Sequence, residues 1–183
     1  MRLIDKTPKV SRRTLLRTGG ITAAAVAIAP TAALTGKVWA AAPVAVSAGS
    51  FATLVKMARD IYPHDKLPDA VYAKVIEGID AGAKDDPAAK DMLENGVKLL
   101  DGLSERMGHG KYAASAKEED RVAVLKEIEK QDAAFFGKIR GSLVTGIYNN
   151  PEVWKSFGYE GESASQGGYI NRGFDDIDWL GKA

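Results

Sequence analysis

This 183-residue chain is predicted to be all-α, a small irregular bundle of about five to six helices at roughly orthogonal angles, ending in a tail rich in glycine and aromatic residues. Three observations carry that prediction. From Phe51 onward the apolar residues recur three and four positions apart, the spacing of one helix face. The intervals between apolar runs hold residues that start or stop helices, among them Pro63, Pro68, Asp86-Pro87 and Asn150-Pro151. No alternating apolar/polar stretch is long enough to read as a strand.

The first helix presents Phe51, Leu54, Val55, Ala58, Ile61 and Tyr62 on one face and stops at Pro63. Pro68 suits the first turn of a second helix, where a missing N–H leaves no bond unmade. Val71, Tyr72, Val75, Ile76 and Ile79 form its buried stripe. Asp86 then caps a third helix with Pro87 at its first position; it carries Met92, Leu93, Val97, Leu100, Leu103 and Met107 before Gly108-His109-Gly110 ends it. Ser115 and Glu118 have the spacing of a capping box, and Glu119 and Asp120 add negative charge that favours a helix N-terminus. Val122, Leu125 and Ile128 belong to the helix that follows. Phe135, Phe136, Ile139, Leu143, Val144, Ile147 and Tyr148 form the next apolar face, and Gln131-Asp132 either separates the two helices or lies within one long one. Asn150-Pro151 caps a last short helix running through Trp154.

The tail, residues 158–183, contains Gly158, Gly161, Gly167, Gly168, Gly173 and Gly181. Each interior glycine costs a helix about 1 kcal/mol against alanine, so the helical pattern ends here. Yet Tyr159, Tyr169, Phe174 and Trp179 give it more apolar surface than a solvated linker carries. Two placements are open: the tail wraps its own domain, or it lies on a partner.

The N-terminus is read as an address. A basic stretch ends in Ser11-Arg12-Arg13-Thr14-Leu15-Leu16-Arg17; an alanine-rich apolar stretch runs from about Gly19 to Leu34; Val38 and Ala40 then supply small side chains before a cut between Ala40 and Ala41. Ser11, Arg12, Arg13, Leu15 and Leu16 resemble the twin-arginine signal, which implies export as a folded protein through the Tat translocase. The apolar stretch is shorter than the roughly 20 residues that span a bilayer, and Pro30 interrupts it. The expected organisation is a cleaved signal at 1–40, a linker at 41–50, a helical domain at 51–157 and the irregular tail at 158–183. Residues 1–40 hold seven of the 25 basic residues and one of the 24 acids, so a chain beginning at Ala41 carries 18 against 23, a net charge of −5. That balance argues against nucleic acid as a partner.

Few residues are suited to catalysis. With no cysteine there is no thiol nucleophile, thiolate-held metal or covalent haem attachment. His64 and His109 are the only histidines. Asp65 could orient the His64 ring, but no metal-ligand or nucleophile spacing accompanies the pair. Gly108-His109-Gly110 does not continue as a dinucleotide fingerprint. Asp85-Asp86 and Glu118-Glu119-Asp120 read as helix N-terminal charges. No catalytic, cofactor-binding or metal-binding residue is therefore assigned within the chain.

The run from Leu54 to Tyr72, with Tyr62-Pro63-His64-Asp65 at its centre, resembles the start of the gluconate 2-dehydrogenase subunit 3 family. Tyr148-Asn149-Asn150-Pro151-Glu152-Val153-Trp154, followed by Gly158-Tyr159-Glu160-Gly161 and Gly167-Gly168-Tyr169, resembles its C-terminal end. The resemblance implies the small, non-flavin subunit of an exported dehydrogenase. Its large partner would be an FAD-dependent flavoprotein of the glucose–methanol–choline (GMC) type acting on a sugar, sugar acid or related alcohol, with a cytochrome c subunit as a further expected partner. It also implies a periplasmic location, with membrane association through the complex. The small subunit would supply the export signal and assist the large subunit's maturation. On this view Tyr62, Pro63, His64, Asp65, Trp154, Tyr159 and Tyr169 face the partner, since aromatic residues are common interface anchors. The competing expectations are a stand-alone periplasmic binding domain and a small exported enzyme using His64 with Asp65.

Overall fold

The computed structural model describes residues 42–170. Among them are six α-helices and no strand: α1 (Ala48–Ile61), α2 (Asp69–Gly82), α3 (Pro87–Arg106), α4 (Glu118–Gln131), α5 (Ala133–Tyr148) and α6 (Pro151–Trp154). Short 3₁₀ turns cover Tyr112–Ala114, Lys155–Phe157 and Ala164–Gln166. The signal residues Ser11, Arg12, Arg13, Leu15 and Leu16, and the cleavage residues Val38, Ala40 and Ala41, lie outside the described part.

Helix α1 is the hub, packing against α2, α3, α4 and α5. Its Phe51, Leu54, Met57 and Ala58 are fully buried, and Ile76, Leu100, Ile128, Ile139 and Leu143 from the surrounding helices close over them. The caps follow the sequence at Asp86 and Asn150, and a third, at Asp132, settles the break that the sequence left open. Asp86 accepts from the N–H groups of Ala88 and Ala89 at 3.0 and 3.1 Å, and Asn150 accepts from Glu152 N–H at 3.0 Å. Asp132 accepts from Phe135 N–H at 3.0 Å, so residue 132 ends α4 and starts α5.

Four local expectations are corrected. The capping box at Ser115 does not form: α4 begins at Glu118, preceded by Lys117 with no side-chain cap. Ser115 is buried instead, and its carbonyl accepts from Arg121 Nη1 at 2.9 Å. Pro68 stands just before α2 as its N-cap, not within the first turn. Val144 and Tyr148, expected on the buried face of α5, are 42% and 38% exposed. The first helix begins at Ala48, three residues before Phe51, because Ser47 caps it by accepting from Ser50 N–H.

Residues 44–47 are fastened to the domain. Buried Asp80 of α2 accepts from the backbone N–H groups of Val44, Ala45 and Val46. Glu94 of α3 accepts from Ser47 N–H at 2.6 Å and from the Ser50 hydroxyl at 2.7 Å. A second polar cluster is sealed inside. Arg121 grips Asp60 through Nε and Nη2 at 2.7 and 3.0 Å, and the Tyr112 hydroxyl donates to the same carboxylate at 2.8 Å. The two side chains of the ion pair are 7% and 4% exposed. A charge pair this buried is tolerable because its fork geometry and the Ser115 carbonyl satisfy most of its polar atoms.

Candidate functional site

The feature that stands out on the surface lies where the end of α1, the end of α5 and the turn after α6 meet. Pro63 stops α1, and the chain turns back on a bond from Leu67 N–H to the His64 carbonyl at 3.1 Å. The turn is held from beneath. Buried Tyr72 donates its hydroxyl to the Tyr62 carbonyl at 2.6 Å and accepts from His64 N–H at 3.2 Å. Arg59 donates to the Leu67 carbonyl, pairs with Asp69 at 3.4 Å and lies over the Tyr72 ring. His64 is thereby held in a fixed position on a short loop.

Above this support four rings assemble. The His64 ring is 5.7 Å from Tyr148 and 5.0 Å from Phe157, edge to face in both cases. Tyr62 meets Tyr148 edge-on at 6.0 Å, and Tyr148 and Phe157 are 5.6 Å apart. His64 Nε2 and the Tyr148 hydroxyl form a hydrogen bond of 2.8 Å. Burial, and then the nearby Tyr62 and Tyr72, push the Tyr148 phenol above its ordinary value of 10.0, so it stays protonated at neutral pH. Trp154 ties α6 to this group by donating Nε1–H to the Tyr148 carbonyl at 2.8 Å, and it stacks edge-on with Tyr159 at 5.2 Å.

The structure thus unites Tyr62, His64, Trp154 and Tyr159 around a residue that the sequence assigned to the core, Tyr148. It adds Phe157, which the sequence did not single out. Asp65 is exposed and makes no hydrogen bond to the His64 ring, whose Nε2 is taken by Tyr148. Pro63 is exposed and acts through the turn. Tyr169 is 63% exposed and makes no ring contact with the cluster. Tyr148, Phe157 and Tyr159 remain 38%, 41% and 46% exposed while held in place by neighbours. Fixed aromatic edges with a few hydrogen-bonding atoms suit the docking of another surface. Two signals could have revealed the missed residues: Tyr148 is the last helical residue before Asn149-Asn150-Pro151, and Phe157 directly precedes Gly158.

Among the described residues no helix is long and apolar enough to cross a membrane. No curated protein and no solved structure matches the chain. A family model, gluconate 2-dehydrogenase subunit 3, matches residues 48–161. The match opens on the first residue of α1 and closes just beyond Tyr159, so it spans all six helices and the whole aromatic group. The chain belongs to the gluconate 2-dehydrogenase subunit 3 family, a family of dehydrogenase-complex subunits.

Proposed function

We propose that this protein is the non-catalytic small subunit of an exported FAD-dependent dehydrogenase. Its large subunit is a GMC-type flavoprotein that oxidises a sugar, sugar acid or related alcohol, with a cytochrome c subunit as electron acceptor. The flavin belongs to that large subunit. The twin-arginine segment at Ser11–Leu16 directs the folded pair to the periplasm, and the helical domain supports the large subunit's maturation and stability. Family membership supports the subunit role. The observation that carries the docking assignment is the exposed aromatic group of Tyr62, His64, Tyr148, Phe157, Trp154 and Tyr159, held rigidly by Tyr72 and Arg59.

Rigid, partly exposed aromatic residues lose little entropy on binding and are typical of residues whose truncation costs about 2 kcal/mol or more of affinity. Phe157→Ser should therefore weaken association with the large subunit by more than about tenfold while leaving the helical circular dichroism signal intact. Trp154→Ala should do the same and also loosen α6. Affinities measured with co-expressed subunits check both. A folded Phe157→Ser chain that binds with unchanged affinity would remove the aromatic group from the interface.

A further inference from the structure

A cavity of about 250 Å³ opens to the surface between α1, α4 and α5. Ile61, Val122, Leu125 and Phe136 line it with apolar surface. Exposed Lys126, Glu129 and Arg140 stand at its mouth. Arg140 reaches Glu129 at 3.5 Å, and Lys126 makes no ion pair among the described residues. Asp60 also borders the cavity, but its carboxylate is already taken. Oδ1 accepts from Arg121 Nη2, and Oδ2 accepts from Arg121 Nε and the Tyr112 hydroxyl. With Asp60 neutralised by Arg121, the mouth holds two cations against one carboxylate, which favours an anionic group over a cation there. Tyr62 forms another part of the wall and also meets Tyr148 edge-on at 6.0 Å, so the cavity continues directly from the aromatic group.

The size of the cavity narrows its occupant. Sites that enclose a cofactor-sized or drug-sized ligand take about 300–1,000 Å³, so this one suits a single side chain. Interface anchors are side chains of that kind, seated in apolar pockets from which water is excluded. We propose that the large subunit inserts one bulky apolar side chain into this cavity, and that a carboxylate beside that side chain meets Lys126. The inference rests on the accessory-subunit reading and adds to it a second point of contact and the chemistry of the residues that fill it. Burial of the anchor against Ile61, Val122, Leu125 and Phe136 supplies the affinity. The exposed contact at Lys126 sets orientation and association rate more than strength.

Carbodiimide coupling of the native complex, read by peptide mass spectrometry, tests the contact, because the reagent joins an amine to a touching carboxylate with loss of water. The expected product is an amide between Lys126 and an Asp or Glu of the large subunit that adjoins a large apolar residue. Val122→Phe, which fills the cavity from its own wall, should weaken association by more than about tenfold. Lys126→Glu, on the surface, should slow association at low salt by about threefold or more. Circular dichroism checks that each variant keeps its helices, and the lysine variant decides the matter where Val122→Phe unfolds. Lys126 coupled only to Glu129, or to a second copy of this chain, would overturn the proposal. So would folded Val122→Phe and Lys126→Glu chains that bind as the unmodified chain does. The two readings fail separately. A complex that is weakened by Phe157→Ser but indifferent to both cavity variants overturns this inference alone; a chain that forms no complex with a flavoprotein overturns the accessory-subunit reading and this inference with it.

Discussion

Arg121 shows how a single residue can escape a sequence-level reading. It lies among Glu118, Glu119 and Asp120, where a basic residue reads as part of a solvated helix start, and only the tertiary fold brings Asp60 of α1 against it. That bond and the nearby carboxylate raise the guanidinium's pKa despite burial, so the charge persists at any ordinary pH. Burial, reinforced by the Asp60 charge, pushes the Tyr112 phenol far upward, keeping its proton as a donor to Asp60. Asp60→Ala would leave a buried cation without its partner and should cost about 3–5 kcal/mol in urea unfolding. Replacing both residues, Asp60→Leu with Arg121→Met, should cost clearly less. Gly96 is a second such residue. Nothing in the sequence marks it, yet a Cβ there would collide with the ring of fully buried Phe135. Gly96→Ala should lower stability by about 1–3 kcal/mol despite its better helix propensity.

Individual helices were far more legible than the bonds between them. Apolar spacing and Asx-Pro pairs placed the helical stretches to within a few residues, because these signals are local, but left open the break between α4 and α5 that Asp132 makes. The false capping box at Ser115 failed because a buried arginine took the serine's carbonyl and the chain formed a 3₁₀ turn instead. The apolar face drawn for α5 was too wide at its end, and that error concealed Tyr148, the centre of the aromatic group. The segment before α1, expected as a linker, is fixed by carboxylates 34 to 47 residues away, a pairing that sequence spacing cannot reveal. Glu94 makes this attachment pH-sensitive. Burial acts to raise its pKa, but the Ser47 N–H, the Ser50 hydroxyl and nearby Lys98 outweigh it and hold the group below its ordinary 4.5. A depressed folded-state pKa stabilises the fold above the unfolded value, and that contribution is lost as pH falls through the folded one. Exchange protection of residues 44–50 should therefore decline below about pH 4.5, and Glu94→Gln should weaken it at neutral pH and flatten the decline. Asp101 acts in the opposite sense. Burial raises its pKa above 3.8 despite the bond from Tyr112 N–H, so its contribution is greatest in acid and fades as pH rises through the folded value.

At the scale of the whole molecule, the turn after α1 and the turns flanking α6 lie far apart in sequence and meet in one aromatic face. The same two segments carry the family resemblance, and the family match runs between them. The sequence identified Tyr62, His64, Trp154 and Tyr159 one by one; folding brings them together, pairs His64 with Tyr148 and leaves Asp65 outside. That arrangement favours a docking surface over a small enzyme built on His64 and Asp65. The most direct test is affinity purification of the tagged chain from its native cells, followed by an absorbance scan and a dehydrogenase assay. The accessory-subunit account predicts a larger co-purifying subunit with a flavin spectrum, and loss of both from a folded Tyr148→Ala, Phe157→Ala double variant. A lone, colourless chain that oxidises a sugar or alcohol by itself, and loses that activity in His64→Ala, would contradict it.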